Sequence, residues 1–169
     1  MKGTTSKKPS GASLPSPREP LVFFVDRSLG RKVIPGALRE AGEEVRIHDD
    51  YFPQDAKDEA WLAEAGKNGW VVLTKDKHIR YRTVEIQALR AAKVRAFVIT
   101  AGGDLSGAEV SQIFVKALPV IKRLCKKTAA PFIALVSRGG TVTLTAKSME
   151  PAPSNNPENG EQLHGKAPN

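Results

Sequence analysis

Two aspartates lie just beyond predicted strands, where acidic side chains can serve metal chemistry. Asp26 directly follows the apolar run LVFFV, and Asp76 comes three residues after the apolar run WVVL. Because the carboxyl ends of parallel strands meet at one edge of a sheet, we expect both side chains to project there. Carboxylate oxygens are the ligands that Mg²⁺ and Mn²⁺ prefer. The two aspartates therefore indicate a divalent metal site at this edge.

A third acid, Asp58, opens the helix that leads into the third strand. If this helix is antiparallel to the strands, we expect it to begin at the opposite edge of the sheet. The preceding loop, residues 49–57, is long enough to carry the helix start back over the site. Clustered carboxylates repel one another unless a cation lies among them. We therefore predict that Asp58 joins the other two acids around a metal ion.

Each aspartate also has a structural interpretation. Asp26 could cap the following helix, although Ser28 competes for that role, and Asp58 could cap its own helix. Asp76 could be a turn residue between two lysines. The order of the three acids along an α/β chain favours the shared metal site.

Strand-like and helix-like segments alternate along the chain. Strands are predicted at residues 21–25, 45–48, 70–73 and 94–99, with a closing strand or hairpin at 132–136 and 142–144. Helices are predicted up to residue 41, over 58–67, over 83–92 and after the capping box of Ser106 and Glu109. This order predicts a mostly parallel sheet with helices on both faces.

The composition predicts one folded domain with polar ends. The chain has 169 residues, of which 40% are hydrophobic, and a formal net charge of +8. Residues 1–20 are interpreted as a disordered basic leader, residues 21–146 as the domain and residues 147–169 as a disordered tail. A basic surface around local acids suits a polyanionic substrate.

Several classes of protein are disfavoured by the sequence. No apolar run is long enough to cross a bilayer, and residues 1–20 lack the apolar centre of a secretory signal, so we expect a cytoplasmic location. The single cysteine, Cys125, cannot form an internal disulfide and is interpreted as a buried side chain. No cluster of cysteine and histidine indicates a zinc site.

Two other classes of protein that place functional residues at strand ends do not match this sequence. A phosphoacceptor signalling module has its reactive Asp at the tip of the third strand, with Thr and Lys on later strands. Here Thr74 and Lys75 precede Asp76 within one loop. A nucleotide-binding domain needs a glycine-rich turn after the first strand, which the sequence DRSLG does not provide.

The stretch of residues 25–82 resembles the PIN-like domains, including the ribonuclease toxins of VapC type. Those domains have an Asp right after the first strand and a second acid at a helix start, before a strand that ends in T-x-D. The most specific matches are Asp58, Trp61, Leu62, Ala65, Gly69, Val71, Val72, Leu73, Thr74 and Asp76. The resemblance implies a three-layer α/β/α sandwich with a mostly parallel sheet.

The resemblance also implies an activity, which is divalent-metal-dependent hydrolysis of RNA by the toxin of a toxin–antitoxin pair. Asp26, Asp58 and Asp76 would then be catalytic ligands of Mg²⁺ or Mn²⁺, and Thr74 a supporting hydroxyl. The implied partners are RNA and a cognate antitoxin, and a homodimer is a further candidate. The alternative is an inactive PIN-like domain that binds RNA or a partner without cutting.

One departure from the family concerns a further acid. Full-length PIN domains carry it, usually as Glu, on a helical hairpin between the first two positions, where this chain has a single strand. The chain therefore resembles the shortened variety. Asp49 or Asp50, just past the second strand, is the candidate substitute, and a solvated turn is the other interpretation. Without a substitute, the site would hold one metal instead of two or be inactive.

Basic residues follow the first and third strands closely. Arg27 comes after the first strand, and Lys75, Lys77 and Arg80 come after the third. They would flank the acidic centre and are predicted to hold the RNA backbone.

Four other residues near the predicted site have competing interpretations. His78 is interpreted as a surface residue rather than a general base, and Trp70 as part of the core. Tyr81 is a candidate for stacking on a base. Glu85, on the next helix, is a candidate for orienting a Lys or Arg or for contacting a metal ligand.

Overall fold

The fold is known from a computed structural model, which describes residues 19–145. The predicted tail lies outside these residues, and so does all of the predicted leader except residues 19 and 20. The disorder predicted for both ends therefore stays a prediction.

A six-stranded sheet forms the middle layer of the described part. Its strands are β1 (Val22–Val25), β2 (Glu44–Ile47), β3 (Val71–Thr74), β4 (Arg95–Ile99), β5 (Phe132–Val136) and β6 (Val142–Leu144). They lie in the order β2-β1-β3-β4-β5-β6, and neighbours are parallel except in the antiparallel β5–β6 hairpin. The central strands are buried on both faces, which explains why they read as continuous apolar runs.

Helices cover both faces of this sheet. They are α1 (Val33–Glu40), α2 (His48–Tyr51), α3 (Asp58–Lys67), α4 (Thr83–Ala91) and α5 (Gly107–Lys127). Short 3-10 turns, Arg27–Leu29 and Lys77–Arg80, follow β1 and β3. The predicted capping box at Ser106 and Glu109 is present. β2 ends one residue before its predicted end, because His48 begins α2.

Alternating side chains of β1 divide the core into two layers. Phe23 and Val25 pack in the cluster that contains α1 and α5, whereas Phe24 packs in the cluster that contains α3 and α4. The Phe24 ring stacks on Trp61 and Trp70, with centroids 5.7 and 5.4 Å apart. These contacts confirm the three-layer α/β/α arrangement and the interpretation of Trp70 as a core residue.

The sheet order sets the edge at which functional groups can gather. Strand β1 lies between β2 and β3, so the chain passes to opposite sides of β1. In such sheets, functional groups gather beyond the carboxyl ends of the strands at this point. A helix between parallel strands runs back along the sheet, so it begins where the preceding strand ended. The expectation that α3 starts at the opposite edge was therefore wrong. Helices α3 and α4 both begin at the carboxyl edge.

The described residues also test two smaller expectations. Within residues 19–145, no helix combines the length and the apolar content needed to span a membrane. Cys125 is buried in α5, as predicted, and burial raises the pKa of its thiol to about 11.

Helices α3 and α4 approach each other closely at Gly66. A Cβ atom at Gly66 would lie 1.9 Å from the backbone oxygen of Ala92, whereas a Cβ at Gly36 in α1 would meet nothing within 4 Å. The missing side chain of Gly66 therefore allows the two helices to pack on this face of the sheet.

We expect Gly66→Ala to lower the free energy of unfolding by about 1–3 kcal/mol, because backbone must shift to admit the methyl group. Gly36→Ala is the matched control, since it makes the same change in a helix with free space. It should be neutral or stabilising by up to about 1 kcal/mol. Urea denaturation of both variants measures the difference, and equal stabilities would contradict the close approach.

Candidate active site

Asp26 is fixed at the end of β1 by hydrogen bonds to neighbouring residues. Its backbone N–H donates to the oxygen of Leu73 at 3.0 Å, which ties it to β3. The residue is only 3% exposed. Its Oδ2 accepts hydrogen bonds from Thr74 Oγ1 at 2.8 Å and from the N–H of Ser28 at 3.3 Å. The carboxylate therefore lies at the border between β1 and β3.

The hydroxyl of Thr74 links the first and last predicted acids. It donates to Asp26 Oδ2 and accepts from the N–H of Asp76 at 2.9 Å. Ser28 Oγ lies 3.2 Å from Thr74 Oγ1 and accepts from the N–H of Lys75 at 3.2 Å. Asp26 and Asp76 thus lie at the same edge of the sheet, as predicted, with one hydroxyl between them.

Asp76 caps the 3-10 turn that follows it. Its Oδ1 accepts a hydrogen bond from the N–H of His78 at 2.9 Å, and the same oxygen lies 2.9 Å from His78 Nδ1. Asp26 caps its own 3-10 turn through Ser28 in a similar way. The cap interpretation is therefore correct for Asp26. Asp76 likewise caps the turn that follows it.

Asp58 differs, since it is the first residue of α3 and makes no capping bond of its own. The N-cap is Lys57, for which no side-chain cap is formed. Asp58 Oδ1 accepts hydrogen bonds from Trp61 Nε1 at 2.9 Å and from Arg27 Nη2 at 3.1 Å. The alternative interpretation of Asp58 as a helix cap is therefore wrong, and the contact with Arg27 shows that Asp58 lies beside the end of β1.

Arg27 holds the loop before α3 against the end of β1. Its Nη1 donates to the backbone oxygens of Gln54 at 2.6 Å and Ala56 at 2.9 Å, while Nη2 pairs with Asp58. The guanidinium predicted to bind RNA is therefore engaged within the protein. Its role toward a phosphate stays a prediction.

Glu85 lies in the first turn of α4, which begins at the same edge of the sheet as the aspartates. Its side chain is 8% exposed, and its Oε1 accepts a hydrogen bond from Arg82 Nη1 at 3.1 Å. Burial raises the pKa of Glu85, Arg82 lowers it, and the charges of Asp58 and Asp76 raise it further. Glu85 thus orients an Arg, as one interpretation held, and the charges of two predicted ligands contribute to its raised pKa. The direction of α4, which begins at the carboxyl edge of the sheet after β3, is the feature of the sequence that could have indicated the position of Glu85.

Four carboxylates share one hydrogen-bonding pattern. Each has one oxygen bonded to the protein and a second that has no hydrogen-bond partner within residues 19–145. The bonded atoms are Oδ2 of Asp26, Oδ1 of Asp58, Oδ1 of Asp76 and Oε1 of Glu85. Side chains oriented in this way keep one oxygen available for a ligand.

Asp49 has a different set of contacts. Its Oδ1 accepts a hydrogen bond from Gln54 Nε2 and lies 3.4 Å from His48 Nδ1, while Oδ2 pairs with Arg31 Nε at 3.3 Å. Both oxygens are therefore occupied. Asp50 is exposed on α2. The ligand role predicted for either residue stays a prediction.

Comparisons with other proteins agree with this architecture. The sequence profile of a family described as "PIN like domain" matches residues 21–101. The chain is 30% identical over 115 residues to the "Putative ribonuclease VapC45" of Mycobacterium tuberculosis, across 66% of this chain and 82% of that protein. The chain belongs to the PIN-like domain family. No solved structure matches it. The α/β sandwich that the resemblance implied is the fold observed.

The acids of this PIN-like domain fit a divalent cation in donor type. Oxygen-only sites suit Mg²⁺ and Mn²⁺, and the buried Oε2 of Glu85 has no hydrogen-bond partner in the described part. As the side chains stand, however, no three Asp, Glu, His or Cys groups of residues 19–145 are arranged to hold one metal ion. To share one ion, the free oxygens would have to move closer together, and a cation among them would offset the repulsion between like charges.

The basic residues after β3 remain accessible on this PIN-like domain. Lys75 and Lys77 are exposed, Arg80 is half-buried, and the Arg80 guanidinium lies 4.9 Å from the centre of the Tyr81 ring. His78 is an exposed residue, as predicted, and it contacts Asp76.

Thr74→Val should destabilise this PIN-like domain, because it leaves the buried Asp26 Oδ2 and the N–H of Asp76 without their shared partner. The expected loss is about 1–3 kcal/mol of unfolding free energy. Thr74→Ser keeps the hydroxyl and should retain most of the stability. Chemical denaturation compares the two variants, and a valine variant as stable as the serine variant would show that the link contributes little.

Proposed function

We propose that this PIN-like domain is a metal-dependent endoribonuclease that hydrolyses RNA phosphodiesters and acts as the toxin of a toxin–antitoxin pair. Asp26, Asp58 and Asp76 would hold Mg²⁺ or Mn²⁺. The observation that carries the proposal is the Thr74 hydroxyl link between Asp26 and Asp76, with Asp58 at the same edge. The name of the relative, a putative ribonuclease, agrees with this activity.

The protein's own contribution is to orient these acids. Thr74 and Ser28 restrain the Asp26 carboxylate, while Trp61 and Arg27 restrain Asp58. A bound divalent ion supplies charge neutralisation at a phosphate and lowers the pKa of water for in-line attack. Preorganised ligands save the cost of reorganisation during the reaction.

The substrate is proposed to be RNA held by the basic side chains beside the acids. Lys75 and Lys77 flank Asp76 in sequence, and Arg80 follows on the same 3-10 turn. Exposed lysines can contact the phosphate backbone without reading its sequence. Tyr81, exposed next to Arg80, offers a ring for stacking on an unpaired base.

The biological partner is proposed by resemblance to VapC-type toxins. A cognate antitoxin would block the acidic edge in the cytoplasm, and a homodimer is a further proposed assembly. Co-expression with the product of an adjacent small gene would test the pairing. Restored growth together with a stable complex is the supporting outcome, whereas growth inhibition that no neighbour relieves would contradict it.

Asp76→Asn should lower the RNA cleavage rate on the order of 100-fold or more, because the amide removes a negatively charged ligand. EDTA should abolish cleavage by the wild-type protein, and added Mn²⁺ should restore it. The control is Glu40→Gln, an exposed acid at the end of α1 and therefore at the opposite edge of the sheet. It should cleave at the wild-type rate.

Cleavage that ignores both EDTA and Asp76→Asn would reject the metal mechanism. RNA binding without any cleavage by the wild-type protein would favour the alternative of a non-cutting RNA-binding module.

Lys75→Ala should weaken RNA binding and flatten its salt dependence. Loss of one phosphate contact should lower the slope of log K against log salt by about 0.7 for single strands. The measurement is fluorescence anisotropy in the Asp76→Asn background, which prevents cleavage. Lys127→Ala at the end of α5 is the control and should leave the slope unchanged. Equal slopes for all variants would place the RNA elsewhere.

A further inference from the structure

We propose that Glu85 is the fourth acidic ligand of the metal centre, in place of the expected Asp49 or Asp50. This inference rests on the proposed function, because it adds a residue to that same site. Neither the family comparison nor the relative's name assigns a role to Glu85.

The first support is the position of Glu85 in the fold. It lies in the first turn of α4, which packs against α3 and against the 3-10 turn that Asp76 begins. Both helices start at the carboxyl edge of the sheet. Beyond the effect of burial, the charges of Asp58 and Asp76 both act on Glu85 and raise the pKa of its carboxyl, which agrees with this position.

The second support is a buried oxygen without a partner. Glu85 is among the few buried charged residues of the described part, and its Oε2 accepts no hydrogen bond there. A buried carboxylate oxygen left unpaired is costly, so it calls for a specific reason. A cation shared with Asp58 and Asp76 would supply the missing interaction and also offset the repulsion among the three charges.

The comparison with Asp49 favours Glu85 for this position. Asp49 uses both oxygens for Arg31, Gln54 and His48. Glu85 uses only one, as do the three aspartates proposed as ligands. Replacement of the missing acid by a residue after β3 would also let a shortened domain without the helical hairpin supply four carboxylates to one edge of the sheet.

The competing explanation is that Glu85 only anchors Arg82. That ion pair needs one oxygen of Glu85, and the Arg82 side chain is 61% exposed. An exposed guanidinium gives little reason to bury the other oxygen. The two explanations differ in what happens when Arg82 is removed.

Direct Mn²⁺ binding separates these explanations. Wild type, Glu85→Gln, Arg82→Ala and Glu59→Gln are titrated with Mn²⁺, and free Mn²⁺ is followed by electron paramagnetic resonance. We expect Glu85→Gln to weaken the affinity on the order of 10- to 100-fold. Arg82→Ala should bind as well as wild type or more tightly, because it removes a competing cation. Glu59→Gln loses the same charge from an exposed position beside Asp58 and should be unchanged.

The inference is overturned if Glu85→Gln binds Mn²⁺ as tightly as wild type, or if Arg82→Ala or Glu59→Gln loses as much affinity. If Glu85→Gln does not fold, Glu85→Asp replaces it, since this variant keeps the charge and withdraws the carboxylate by one methylene. It should lose affinity as well, and wild-type affinity in Glu85→Asp would equally overturn the inference.

Failure of the proposed function gives a different result. If the wild-type protein binds no Mn²⁺, the metal-dependent mechanism fails together with the role of Glu85. If wild type binds Mn²⁺ and Asp76→Asn does not, while Glu85→Gln still does, only the role of Glu85 is rejected.

Discussion

The hydrogen bond from Thr74 Oγ1 to Asp26 Oδ2, 2.8 Å long, is the contact on which the arrangement of the site depends. It joins the ends of β1 and β3, which are neighbours in the sheet but 48 residues apart in sequence. Burial of a carboxylate such as Asp26 is costly, and the hydrogen bonds to its Oδ2 offset part of that cost. The same hydroxyl accepts from the backbone N–H of Asp76, so one side chain contacts both residues.

The elements that carry these residues could be predicted because their signals are local. The limits of α3 and the capping box of α5 agree with helical spacing and cap chemistry. The continuous apolar runs identified the buried strands, and their parallel order followed from the alternation with helices. Placement of Asp26 and Asp76 at one edge needed only that order, so it was predicted correctly.

The contacts of Asp58 and Glu85 could not be predicted in the same way. The expectation that α3 begins at the opposite edge was wrong, because a crossover helix begins where the strand before it ends. Trp61 is a buried core residue, yet its indole N–H also donates a hydrogen bond to Asp58. Arg27 was predicted to hold RNA, and its contact with Asp58 was not foreseen. Such side-chain partners depend on tertiary packing, which residue spacing alone does not determine.

The cap and ligand interpretations of these acids turn out to be compatible. Asp26 and Asp76 each cap a 3-10 turn with one oxygen, and this use restrains the carboxylate without consuming its second oxygen. A ligand held in this way loses less conformational entropy when it binds a cation than a freely rotating one would. The 3-10 turn after each strand therefore has two roles. It follows the end of the strand, and it restrains the carboxylate that would meet an ion at the carboxyl edge of the sheet under the proposed function.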